Sequence, residues 1–177
     1  MCELNNEEEL KNTIFYDTDL SEAFVIIRNE EKFDGCIADI VSLICNNELS
    51  KKNINIILNN FDIYDIENIK FDMLDLMISY INFIIRDHII TENEWKSAKI
   101  LKLHFKIKEG DFYKYRYGDV KTICQKQYAR VIGDNVIDYD KELFMVGMQD
   151  VFDLSYDQLY KLIDYANTNT NPRNRCC

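Results

Sequence analysis

A chain of 177 residues, 47% apolar and carrying 11 tyrosines and 10 phenylalanines, can bury a sizeable core and is too apolar to stay disordered. One proline and five glycines leave few helix breakers, which favours an all-α fold over a turn-rich sandwich or barrel. A net charge of −10 argues against general nucleic-acid binding, which starts from clustered Lys and Arg.

Residues 1–20 read as an acidic lead-in, helical over about 7–15. Glu3, Glu7, Glu8 and Glu9 stand where a secretory leader would be basic, so no leader is expected. Six cysteines without a CxxC pair fit a reducing, cytoplasmic setting, with Cys36 and Cys45 acting as small apolar groups. Ala23, Phe24, Ile26 and Ile27 recur at helical spacing and predict a first short helix. Ile37, Ile40, Val41, Leu43 and Ile44 predict a second, and Ile54, Ile57 and Leu58 a third. The stretch 67–85 carries Met73, Leu74, Met77, Tyr80, Ile81, Ile84 and Ile85 on a broad stripe and is expected to be the central buried helix. No apolar run is long enough to span a bilayer.

Further along, 87–115 recurs as 134–162 at a constant offset of 47 without a gap. Ile90 meets Ile137, Phe105 meets Phe152, and Tyr113-Lys114 meets Tyr160-Lys161. Each copy reads as apolar helix, acidic turn, second helix, a hinge with a buried Phe, and third helix, the pattern of a helical array. A weaker third copy runs from Leu43-Ile44 to Phe61-Asp62-Ile63, with three residues deleted from its middle helix. The expected organisation is one all-helical domain over 21–166, with units at about 34–70, 81–115 and 128–162, and a flexible tail over 167–177. The tail ends in Cys176-Cys177, which resembles doubly prenylated small GTPases. The chain has no phosphate loop to support that likeness.

The helix starts are legible as well. Thr91 with Glu94 forms a capping-box pattern, Asp138 holds the matching cap position in the next copy, and Ser155 caps the helix after the second hinge. In the turn from Asp134 to Glu142, the carboxylates of Asp134, Asp138, Asp140 and Glu142 gather near one helix start. Two readings stay open for them. They cap the helix and meet the positive end of its dipole, or they form a hard-oxygen cluster for Ca²⁺ or Mg²⁺. An EF-hand is excluded, since Tyr139 stands where the loop needs Gly. The first-copy turn offers Asp87, Thr91, Glu92 and Glu94, with Arg86 beside them.

Between Lys96 and Arg130 ten bases face three acids, so that segment is about +7 and the remainder about −17. It reads as a solvated face, or as a strip for an acidic partner or the surface of a membrane. His88 and His104 are the only histidines, which rules out a His-rich zinc site, and His104 reads as packed. Nucleophile-elbow, dinucleotide and metalloprotease motifs do not occur, so no catalytic residue is nominated. Trp95 opens a helix and reads as a packing or contact residue.

The words Asp134-Asn135-Val136-Ile137-Asp138 with Glu142, followed by Phe152-Asp153-Leu154-Ser155, resemble the tellurite-resistance TerB-like family over about residues 34–166. Asn135 and His88 replace the glycine that usually follows the first aspartate in the family's turns. The likeness implies a compact bundle of about seven to nine helices and a cytoplasmic, non-enzymatic interaction or stress-response role. It also implies a weak divalent-cation site at Asp134, Asp138 and Glu142, and a protein partner. The alternative is an acidic immunity or inhibitor protein that caps a basic toxin or nuclease.

Overall fold

A computed structural model describes residues 18–133 and 138–170, with the side chains of 19–131 and 142–163. It is 77% helical, with nine α-helices and no strand among the described residues. The expected all-α architecture is what the chain adopts. The described chain separates into two compact units: 18–85 with Thr91–Lys108, and Arg86–Ile90 with the chain from Glu109 onward. The expected lead-in helix over 7–15 and most of the tail lie outside the described residues.

The first unit contains α1 (Thr18–Glu30), α2 (Gly35–Cys45), α3 (Lys51–Asn60), a 3₁₀ turn (Ile66–Ile69), α4 (Lys70–Ile84) and α5 (Glu92–His104). α4 is the centre of this core. Met73, Leu74, Leu76, Met77, Tyr80, Ile81 and Ile84 are all buried, on most sides of the helix. α1 packs against α2, α4 and α5, and the Phe24 ring stacks on Tyr80 with centroids 5.6 Å apart. Burying each such side chain stabilises the fold by about 1.5–3 kcal/mol. The stretch expected as one helix over 67–85 is instead broken at its start. Asp65 accepts the Glu67 amide at 2.8 Å and Asn68 returns to the Asp65 amide at 3.0 Å, which closes a separate 3₁₀ turn before α4 begins.

In the second unit lie α6 (Asp111–Tyr115), α7 (Tyr117–Gly133), α8 (Asp138–Phe152) and α9 (Tyr156–Thr170). Val120, Ile123 and Cys124 from α7, Phe144, Met148 and Phe152 from α8, and Leu159, Leu162 and Ile163 from α9 form its core. Phe112 meets Phe152 edge to face at 5.5 Å, the geometry aromatic rings prefer. Gln125 Nε2 donates to the Leu162 carbonyl at 2.9 Å and ties α7 to α9. The segment Arg86–Ile90 lies on α8, with the His88 ring edge-on to Phe144 at 5.6 Å. Gly147 makes room for it, because a Cβ there would sit 2.9 Å from Ile90 Cδ1.

Four helices end the same way. Asn47, Asp62, Lys106 and Asp153 take positive φ of 57°, 56°, 53° and 52°. The next amide in each case donates back five residues: Glu48 to Leu43, Ile63 to Leu58, Ile107 to Lys102 and Leu154 to Gln149, over 2.8–2.9 Å. This is the Schellman turn, which satisfies carbonyls that the helix end leaves open. Lys106 and Asp153 are the residues that the offset of 47 pairs. Phe105 and Phe152, just before them, are fully buried, as the hinge reading requires. Phe61, in the weaker upstream copy, is not: it keeps the turn but stays 43% exposed, with its ring beside Gly35 at the start of α2.

Candidate functional site

Of the three residues nominated for a cation, Asp134 lies outside the described residues, and so does the Asp138 side chain, although Asp138 opens α8. Glu142 is exposed on the same helix and lies close enough to Tyr160 to act on its phenol. That phenol is held above its ordinary range, chiefly by its hydrogen bond with Tyr156. Among the described residues, no three His, Cys, Asp or Glu side chains gather as a metal-holding group.

The first-copy turn is described in full, and its carboxylates have local partners. Asp87 Oδ1 accepts the Ile89 amide at 3.0 Å, an Asx turn that lets His88 take φ of 65°. Thr91 Oγ1 accepts the Glu94 amide at 3.2 Å, and the Thr91 amide donates to Glu94 Oε2 at 2.7 Å. That is the complete capping box the sequence predicts. Glu92 pairs with Lys96 one turn on at 2.6 Å, which holds its carboxyl below the usual range. Ser155 also caps as predicted, accepting the Gln158 amide at 3.2 Å while Gln158 Oε1 takes the Ser155 amide at 2.8 Å.

The basic segment is largely engaged within its own units. Lys106 Nζ sits 2.5 Å from Asp65 and Lys108 Nζ 3.3 Å from Glu67. Asp65 is correspondingly more acidic than usual, mainly through the Glu67 amide and then through Lys106. Lys99 lies 3.5 Å above the Trp95 ring, a cation–π contact, and Lys102 is buried. His104 is buried at the end of α5, in keeping with a packed histidine. Burial pushes the Cys124 thiol up to about 12, so it stays a neutral apolar group. No helix among the described residues is long and apolar enough to cross a membrane.

What the sequence reading missed is on the outside. Tyr64 is 97% exposed, Phe71 54% and Phe61 43%, along the stretch from the C-cap of α3 to the first turn of α4. Leu143 and Val146 on α8, and Tyr156 on α9, are also largely exposed in the second unit. Tyr64 carried a weak signal: it stands between Asp62 and Asp65 in a turn, outside any helical apolar stripe. No family model, curated protein or solved structure matches the chain.

Proposed function

We propose that the chain is a non-enzymatic helical interaction module, in the stress-response mould of the TerB-like family, that works by binding a protein partner. The observation that carries this reading is the display of large apolar side chains on the first unit, led by Tyr64 at 97% exposure, beside a core already filled by others. Neighbouring exposed aromatics of this size are characteristic of contact surfaces. The free thiols of Cys36, Cys45 and Cys124 suit a cytoplasmic setting. Affinity capture with the full chain, compared with a variant carrying Tyr64→Ser and Phe71→Ser, tests it. A partner retained by the parent and lost by the variant supports the reading; identical captured sets refute it.

The weak cation site at Asp134, Asp138 and Glu142 belongs to the same proposal and rests on their spacing in the sequence. Calorimetric titration of Ca²⁺ and Mg²⁺ into the parent and into Asp134→Asn/Asp138→Asn decides it, since equal heats remove the site. The second reading, an acidic inhibitor of a basic toxin or nuclease, is favoured by the net charge of −10. A neighbouring coding sequence for a basic toxin supports that reading.

A further inference from the structure

The end of α3, with Phe61, and the start of α4, with Phe71, both come near the start of α2, and Tyr64 stands between them in the chain. The Phe61 ring lies 3.8 Å from the position of a Cβ on Gly35. On the next residue, the Cys36 thiol is held above its ordinary value by burial first, then by Asp72, and also by Asp39, so both carboxylates lie nearby. Phe71 directly precedes Asp72 in the first turn of α4, and Tyr64 precedes Asp65, the cap of the 3₁₀ turn. Three exposed aromatic residues thus stand along the stretch 61–71 of the first unit.

The charge along these segments is predominantly negative. Segments 34–39 and 61–72 carry Asp34, Asp39, Asp62, Asp65, Glu67 and Asp72 against Lys70 alone. Lys106 and Lys108 pair with Asp65 and Glu67. Lys51 also lies within electrostatic reach of Asp65. Asp34, Asp39, Asp62 and Asp72 remain, all exposed, in the same segments as the aromatic residues or beside the start of α2. Aromatic faces attract Lys and Arg through their ring quadrupoles, and a carboxylate rim adds long-range steering toward the same side chains. The same rim repels phosphate backbones and anionic lipid surfaces.

We propose that the face formed by Phe61, Tyr64 and Phe71, with its rim of Asp34, Asp39, Asp62 and Asp72, docks a Lys- and Arg-rich segment of a protein partner. This rests on the protein-binding reading above and adds the surface and the partner's chemistry. Tyr64 and Phe71 supply the contact area, and the aspartates select the charge. Binding therefore weakens as salt rises, but retains an apolar component that salt does not screen.

The test titrates a fluorescein-labelled peptide of alternating Lys, Arg and Leu into the full chain. A matched peptide with Glu in place of the bases is the control. The expected result is binding of the basic peptide alone, weakened about tenfold or more by Tyr64→Ser/Phe71→Ser, which corresponds to about 1.4 kcal/mol. Asp39→Asn/Asp72→Asn should weaken it and flatten its salt dependence. Leu143→Ser/Tyr156→Ser, on the second unit, should leave it unchanged. Equal affinity in the parent and Tyr64→Ser/Phe71→Ser overturns the proposal. If affinity is instead lost in Leu143→Ser/Tyr156→Ser, protein binding survives but at another surface. A parent dimer that Tyr64→Ser/Phe71→Ser turns into a monomer, in sedimentation, assigns the face to a second copy and also overturns it. Circular dichroism of each variant shows that the fold is retained.

Discussion

Replacing Thr91 by Ala tests whether the acidic residues of the first-copy turn serve the helix. The hydroxyl accepts the Glu94 amide at 3.2 Å and itself donates to Glu94 Oε2 at 2.8 Å. Thr91 is exposed, so its removal takes away the cap and almost no packing. The loss should be about 1 kcal/mol, within the 0.5–2 kcal/mol range of measured N-caps. Glu94→Ala should cost a similar ~1 kcal/mol, because the Thr91 amide loses a charge-assisted acceptor at the positive end of the α5 dipole. The two residues act as one box, so the double variant should fall short of the sum by roughly 0.5 kcal/mol. Thr91→Ser keeps the oxygen and should lie within a few tenths of a kcal/mol of the parent. Urea unfolding followed by far-ultraviolet circular dichroism reads this as a midpoint lowered by roughly 0.3–1 M for Thr91→Ala. The cost should be the same with and without millimolar Ca²⁺. A midpoint within error of the parent, or strict additivity of the two single losses, would falsify the capping account. A cost that appears only with Ca²⁺ would return the turn to metal chemistry.

In the second unit, Phe152→Leu and Phe112→Leu should each destabilise by about 1–2 kcal/mol, with a coupling of about 0.5–1.5 kcal/mol from the lost edge-to-face pair. Additive losses in a double-mutant cycle would show that the ring geometry contributes nothing beyond area. Gly147→Ala combines a helix-propensity gain of about 1 kcal/mol with a contact 2.9 Å from Ile90 Cδ1. It should therefore stabilise an Ile90→Ala background by about 1 kcal/mol and the parent by less or not at all; equal effects in both refute the close contact. The Asp65 carboxyl has a folded pKa below its ordinary 3.8, so its contribution is complete above that value and lost as pH falls through the lower folded value. Asp65→Asn should thus lose less stability than the parent between about pH 6 and about pH 3, measured by the urea midpoint. Parallel acid limbs would show that the Glu67 amide and Lys106 do not bias the group.

What the sequence disclosed was mostly local. The box at Thr91–Glu94 and the Ser155 cap each reach only three residues along the chain, and the Phe105 and Phe152 hinges each sit beside a Schellman turn set by neighbouring backbone. Such features are decided by chemistry within one helical turn. Phe61 shows the limit of that logic. Its turn at Asp62 copies the others, yet its ring stays out of the core and lies beside Gly35, 26 residues away in the chain. The same applies to Arg86–Ile90. No change of composition announces that this short segment packs on α8 while Thr91–Lys108 belongs with the first unit. The break before α4 was legible in principle, since Asp65 and Asn68 form a capping box, but the apolar stripe through 67–85 masked it. The aromatic face was hidden because Tyr and Phe score as core residues unless their neighbours are known.

Trp95 is the chain's single tryptophan, its indole nitrogen is shielded from solvent, and the Lys99 ammonium rides above its ring. The protein therefore carries its own optical reporter. Emission from the folded chain should sit at shorter wavelength than that of the denatured chain, and Lys99→Met should alter the indole's spectrum while α5 stays intact. Any ligand or partner that loosens α5 will register there as a colour change, without a label being attached.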